Sequence, residues 1–240
     1  MSRLLHVPEP MKLMGLQYGL QTHFGADINS DWTILEADTG SSVAIVDSVG
    51  GGIDVISATT DNNEAYVWST TELFKFANGK PLIAEIRLQF AEIATNDANV
   101  IFGLMDAVGA NSLLDDGAGP DASYSGAVFF KEDGQTLWTV ENSLAGTQKT
   151  TQLTAANSLD KTAHTAGSAA GVFHLLRIES DPISATDNRI SFFIDGVLVA
   201  RHTGQTTASA ADMSVFFGNK TGDAATETLR VTDCGCHQLY

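Results

Sequence analysis

The chain has 240 residues, 43% of them hydrophobic, enough for one large β-sandwich or two small domains with a sizeable buried core. Its 29 acidic against 13 basic residues give a formal net charge of −16, so the basic face that phosphate binding needs is missing and nucleic acid is not an expected partner. An acidic surface suits a crowded or repeated assembly that must stay soluble, or contact with cations or a basic protein patch.

Residues 1–27 hold Pro8 and Pro10, little alternation, and scattered apolar residues including Leu4, Leu5, Val7, Met11, Leu13, Met14, Leu16 and Leu20. They read as an extended N-terminal arm, not a sandwich strand, lying either across its own domain or on a neighbouring subunit. Pro8, Glu9, Pro10 and Lys12 break every apolar run before it reaches signal length, so the segment is neither a secretory signal nor a membrane span, and no membrane partner is expected.

From residue 28 to 240 a single domain is expected. Strands are predicted near residues 32–36, 43–46, 53–57, 65–69, 82–90, 100–105, 127–131, 136–140, 147–153, 172–179, 190–194, 197–202, 213–217 and 227–234. In the run 82–90, Leu82, Ala84, Ile86, Leu88 and Phe90 alternate with Glu85, Arg87 and Gln89, the pattern of a half-buried strand with one wet face. Gly50-Gly51-Gly52 reads as a turn, without the spacing of a phosphate-binding loop. The Gly, Ala and Asp-rich stretch 106–125 reads as a projecting loop of one domain. At most one short helix, over Ala155 to Ala163, breaks the β pattern. About fourteen strands at this spacing predict an all-β, two-sheet antiparallel jelly-roll sandwich.

The stretch 171–204 is the most informative. Asp195-Gly196 is the dipeptide favoured where both central residues of a hairpin turn need positive φ. A two-residue loop sets Ile194 opposite Val197, Phe192 opposite Val199 and Ile190 opposite Arg201, with Phe193 and Leu198 on the other face. Both faces are apolar, which places the hairpin inside a layered structure, not on a solvated edge.

This Arg-Ile strand followed by "IDGVLVA" resembles the late hairpin of laminin-G-like and concanavalin A-like jelly rolls. The strand SGAVFFK at Ser125 to Lys131, then Asp133-Gly134 and the Trp138 strand, resembles in particular the jelly-roll structural proteins of tailed phages. That resemblance covers the region from Trp32 to the C-terminus. It implies a concanavalin A-like sandwich in a noncatalytic virion protein, of the capsid decoration type.

Chemistry is sparse. Jelly-roll glycosidases of this kind carry paired carboxylates as E-x-D-x-x-E, or with one extra residue. Glu36-Ala37-Asp38 supplies the first half, but Ser41 and Ser42 stand where the last Glu belongs, so no enzyme is expected. G-x-S-x-G is absent, and His6, His23, His164, His174, His202 and His237 form no H-x-H or H-E-x-x-H pair. His174 and His202 read as structural histidines in strands. The calcium candidates are Asp115, Asp116 and Asp121, hard oxygen ligands in a glycine-rich loop; the alternative is a solvated acidic turn. Cys234 and Cys236 are too close for an unstrained bridge and read as two buried thiols, a metal pair with His237, or a redox pair. Glycan binding needs exposed rings: Trp32, Trp68 and Trp138 are the candidates, with Tyr18, Tyr66 and Tyr124 behind them. Trp68 and Trp138 lie in predicted strands and are expected in the core, whereas Tyr124, between loop and strand, is the ring expected at the surface.

These readings lead to a decoration or cement protein on the outer capsid surface. It would be assembled in the host cytoplasm, homo-oligomeric with a trimer favoured, and bound to the major capsid protein. The alternative is a tail-fibre or baseplate module that holds a host-surface glycan. A polysaccharide-active enzyme is the third reading, on analogy of fold alone.

Overall fold

The computed structural model describes residues 17–25, 27–47, 50–76, 80–91, 98–167, 172–206 and 211–239. The β-branched and aromatic runs form strands wherever Gly, Asp and Asn punctuate them, and all fourteen predicted strands occur, within a few residues of their expected ends. In chain order they are β1 (Gln17–His23), β2 (Trp32–Glu36), β3 (Ser42–Ile45), β4 (Ile53–Ile56), β5 (Glu64–Ser69), β6 (Leu82–Ala91), β7 (Ala98–Met105), β8 (Gly126–Lys131), β9 (Thr139–Leu144), β10 (Thr147–Gln152), β11 (His174–Pro182), β12 (Asp187–Ile194), β13 (Val197–Thr206), β14 (Ser214–Thr221) and β15 (Thr228–Leu239).

An eight-stranded sheet runs β13-β12-β11-β6-β15-β4-β3, with β1 also paired to β15, and a seven-stranded sheet runs β10-β9-β8-β7-β14-β5-β2. All ladders are antiparallel. Alternate residues of the two sheets meet in one core: Leu88, Phe90, Leu176 and Ile178 from one, Phe102, Phe129, Val140 and Phe217 from the other. Phe129 lies 5.4 Å from Phe192 across the layers, edge to face; such ring pairs add about 0.5–1.5 kcal/mol beyond the area they bury.

Strand β1 lies within the predicted arm. Its Leu20 and Thr22 stand opposite Cys236 and Cys234, and Phe24 just beyond is fully buried, 5.4 Å from Trp32 and 6.0 Å from Phe217. The period-two set Leu20, Thr22, Phe24 against Gly19, Gln21, His23 makes this segment a sandwich strand; the two prolines that suggest an arm sit farther upstream. Residues 1–16 lie outside the described residues.

The Asp195-Gly196 turn forms as predicted, with φ of 51° and 83°. The register beyond it differs. A bulge lets Phe192 face Ala200 and Ile190 face His202. Without the bulge Arg201 would point into the core beside Ile190. With it Val199, Ala200 and His202 are buried and Arg201 is exposed. The hairpin is also an edge, since β13 ends its sheet. On its outer side Phe193 is covered by the Arg177 guanidinium, 4.5 Å from the ring centroid.

Two smaller expectations change. The run Ala155 to Ala163 is a series of turns around one α-type bond, Ser158 N–H to Thr154 O at 2.9 Å, and Lys161 at φ 61° stops it. On the expected wet face of β6, Glu85 is fully buried, 3.4 Å from the Arg177 guanidinium.

Candidate functional site

The outer face of the seven-stranded sheet is the part of the fold that differs most from a plain sandwich. Alternation in β5, β7, β8 and β14 turns Tyr66, Ile101, Met105, Val128, Phe130 and Phe216 outward, yet all are buried, in a second core closed by Leu113 and Tyr124 of the loop 106–125. Gly218 makes room for the Tyr66 ring: a Cβ there would lie 2.1 Å from Tyr66 Cδ1. Leu113 N–H donates to the Tyr66 hydroxyl at 3.1 Å. At the other end the Tyr124 hydroxyl donates to Glu141 Oε1 at 3.1 Å, and Ser143 Oγ donates to Tyr124 O at 2.6 Å. Burial, then Glu64 beside Tyr66 and Glu141 beside Tyr124, hold both phenols well above the ordinary tyrosine range. Tyr124, expected at the surface, is therefore an anchor of the loop.

One buried cation fixes this loop. Lys220, on the outer face of β14, is 1% exposed, and its Nζ donates to Asn111 Oδ1 at 2.9 Å and Leu113 O at 3.2 Å. It pairs with Glu64 at 3.5 Å and with Asp115. Both Glu64 oxygens accept the Asn111 N–H at 3.0 Å. Burying an ammonium is costly unless it is paired and fully hydrogen-bonded, and the loop supplies three of its four partners.

The calcium candidates sit on this same loop. Asp115 and Asp116 open a short 3-10 turn, Asp115–Gly117. Asp115 is turned to Lys220, the Asp116 N–H reaches Asn62 Oδ1 at 3.4 Å, and Asp121 Oδ1 accepts the N–H and hydroxyl of Ser123 at 2.7 and 2.8 Å. The Asp115 and Asp121 carboxylates thus serve two separate contacts, and Asp116 is held through its backbone N–H. Among the described residues, no group of three or more His, Cys, Asp or Glu side chains is placed to hold a metal.

The loop leaves the β2–β5 margin of this face open, and there stands Trp68. It is half-buried, packed with Leu35 and Val108 against the second core, while Trp32 and Trp138 are buried. Thr33 of β2 is its cross-strand neighbour. Thr33 Oγ1 donates to Thr70 Oγ1 at 3.0 Å, which donates to Ser30 O at 3.1 Å. Thr70 lines a cavity of about 100 Å³ with Leu20, Ser30, Asp31, Ser69, Thr71 and Leu73. Trp68 is not part of that lining; the Thr33–Thr70 hydroxyl pair links its face of the sheet to the cavity, where Asp31 supplies one exposed carboxylate. Such a set stacks on an apolar sugar face and hydrogen-bonds its hydroxyls. The sequence signal for Trp68 was the alternation of EAYVWS: Ala65 and Val67 point inward, so Tyr66 and Trp68 cannot. The Tyr18 ring is not among the described side chains.

At the opposite margin Glu141 is buried, with Tyr124 on one oxygen and Thr150 on the other; burial pushes its carboxyl above the usual range against the pull of those two donors. Glu132 is raised as well, by burial and by Glu141.

Solved structures of the same architecture are known. The Emp47p carbohydrate recognition domain superposes with a TM-score of 0.60 at 14% identity, covering 91% of this chain and 94% of that one. The endo-1,3-beta-glucanase from Streptomyces sioyaensis gives 0.59 at 13%, over 94% and 97%, and the endo-beta-1,4-glucuronan lyase from the fungus Trichoderma reesei 0.57 at 11%, over 90% and 94%. The fold is the concanavalin A-like jelly roll of lectins and glucanases. No family model matches the sequence, and no curated protein matches it.

In this concanavalin A-like sandwich the remaining sequence candidates are tied into local structure. Glu36 Oε1 accepts the Val43 N–H at 2.7 Å and Asp38 Oδ2 the Glu64 N–H at 3.0 Å, so the two first carboxylates of the glycosidase pattern hold a strand end and a turn. His174 pairs with Asp195 at 2.8 Å beside the hairpin turn. His202 lies between the sheets, Nδ1 2.5 Å from Asn142 Oδ1 and Nε2 3.0 Å from Thr151 Oγ1. Burial, then Lys149, lowers its pKa to about 4. Cys234 and Cys236 are free and buried in the main core, and burial raises both thiols. His237, next after Cys236, alternates to the opposite face over Gly19, so the three do not converge.

Proposed function

We propose that this chain is a noncatalytic glycan-binding module that holds sugar against Trp68 at the open margin of the seven-stranded sheet. The observation that carries the reading is the half-buried Trp68 beside Thr33, whose hydroxyl bonds that of Thr70 in a hydroxyl-lined cavity with one carboxylate. The likeness to a carbohydrate recognition domain and to two polysaccharide-active enzymes supports it. Noncatalytic binding is favoured because Glu36 and Asp38 each engage an oxygen with a backbone N–H, and Glu141 engages both of its oxygens with a tyrosine and a threonine hydroxyl. As the host-recognition module of a phage tail fibre or baseplate, such a protein would be carried in few copies. A glycan array tests the proposal: saturable binding to one sugar class, lost in Trp68→Ala, is expected, and an array without a hit would sink it.

One observation favours a second reading, the capsid decoration protein. The chain closes most of its outer sheet face with its own loop, as a module built for self-packing and shell contacts would. Quantitative mass spectrometry of purified virions separates the two. Copy numbers near a simple ratio to the shell subunit support decoration, and a few copies support host recognition.

A further inference from the structure

We infer that the Trp68 margin takes the terminal residue of a neutral or amino-bearing glycan, and neither an internal stretch of a long chain nor a polyuronate. This rests on the glycan-binding reading and narrows it.

The length limit comes from the loop 106–125. A polysaccharide crossing the outer face would have to pass from β5 over β14 and β7 to β8. Those four strands are the ones whose outward residues Leu113 and Tyr124 cover. At the usual spacing between paired strands the closed width is about 14 Å, the length of about three sugar residues. The loop is no loose flap. Lys220, Glu64 and Tyr66 hold its Asn111 and Leu113 through hydrogen bonds, one of them an Asn111 N–H shared by both Glu64 oxygens, and Val108, like Trp68, packs against the second core. On the outer side β2 ends the sheet. What is left is the Trp68 ring and, reached through the Thr33–Thr70 hydroxyl pair, a cavity of about 100 Å³ that Trp68 itself does not line. One water needs roughly 10–15 Å³ of such space, so the cavity admits a group of about seven to ten heavy atoms, near one pyranose.

The charge limit comes from the rim. The cavity lining holds Asp31 and no basic side chain, and exposed Glu72 follows its Thr71. Nearby Lys75 is paired with Asp212 at 2.7 Å, and Lys220 is buried. A uronate carboxylate would enter a negative field with no cation to receive it, on a chain of net charge −16. A neutral hydroxyl or an ammonium would find an acceptor in Asp31.

The test is calorimetric titration of the full chain, first with the sugar class found on a glycan array, then with its di- to hexasaccharides and with oligoglucuronates. Terminal recognition predicts affinities within about threefold from disaccharide to hexasaccharide, since added residues find no further subsite. It also predicts loss of binding when the terminal residue is modified, and no heat from the uronates. Affinity rising about tenfold or more along the series, or uronate binding, overturns the inference and leaves glycan binding standing. Binding that survives in Trp68→Ala moves the sugar elsewhere and overturns both, as does an array on which nothing binds.

Discussion

Lys220 Nζ reaches the Leu113 carbonyl at 3.2 Å from the strand beneath it, so a lysine on the sheet and the apolar plug of the loop are held by one buried bond. The arrangement places a charge where a leucine would ordinarily do, and its energetics follow from what is left behind when it is removed. Lys220→Met strips Glu64 and Asp115 of their cation and leaves Leu113 O and Asn111 Oδ1 without its donor. Breaking one partner of a buried pair costs about 3–5 kcal/mol. The variant is expected to show a lower urea midpoint and a new protease-sensitive site within 106–125. A midpoint within error of the parent would show that the loop is held by Leu113 and Tyr124 packing alone.

Trp68 gives a more local prediction. Because it is only half-buried, Trp68→Ala is expected to cost about 1–2 kcal/mol of stability, less than a fully buried aromatic. Its emission should redden less on unfolding than that of Trp32 and Trp138, which are buried. Quenching by acrylamide in the native state should affect one tryptophan of the three and vanish in Trp68→Phe. Unchanged quenching in that variant would place the accessible indole elsewhere.

What the sequence revealed and what it hid follow one physical line. Strands and the Asp195-Gly196 turn are local: alternation and positive φ are written in a few adjacent residues, and the fourteen predicted strands and the turn were legible. The bulge that swaps Arg201 for His202 was not, because nothing adjacent to Val199 signals it; the cost of burying Arg201 beside Ile190 does, and that is a fact about the packed sandwich. Tyr124 was assigned to the surface because loop residues usually are, but the outward row of Tyr66, Phe130 and Phe216 offers an apolar face that water would otherwise cover. Trp68 was assigned to the core on strand membership, where parity with Val67 already placed it on the other side. The meeting of Thr33, Thr70 and Asp31 joins β2 to the end of β5, a pairing that chain order does not reveal.

The cysteines carry a prediction about reactivity. Cys234 and Cys236 are fully buried, with thiols raised by burial first and then by Asp233 and Cys234 respectively. Since the thiolate is the reactive form, neither is expected to react with a thiol reagent such as DTNB on the minutes scale in the native state. Both should react at once in guanidinium. A fast native reaction at either would show that β1, which covers this stretch of β15, opens readily.

His202 makes stability depend on pH in a stated direction. Its pKa is about 4 in the folded chain against 6.5 for a free histidine, because burial and Lys149 both oppose its charge. Between those values the unfolded chain takes up a proton that the folded chain refuses. Stability contributed by neutral His202 is therefore complete above pH 6.5, falls as the pH drops, and is exhausted near 4; the full loss is about 3 kcal/mol. Glu132, Glu141 and Glu179 act oppositely, since burial raises each carboxyl and the folded chain takes up their protons first as the pH falls. They should offset part of the loss toward the lower end of the window. The expected result is a urea midpoint that declines from pH 7 to 5, with a smaller decline in His202→Gln, where nothing titrates and the side chain can still meet Asn142 or Thr151. Equal declines in the two proteins would remove His202 as the cause and leave His237, whose pKa burial also lowers, as the histidine to test next.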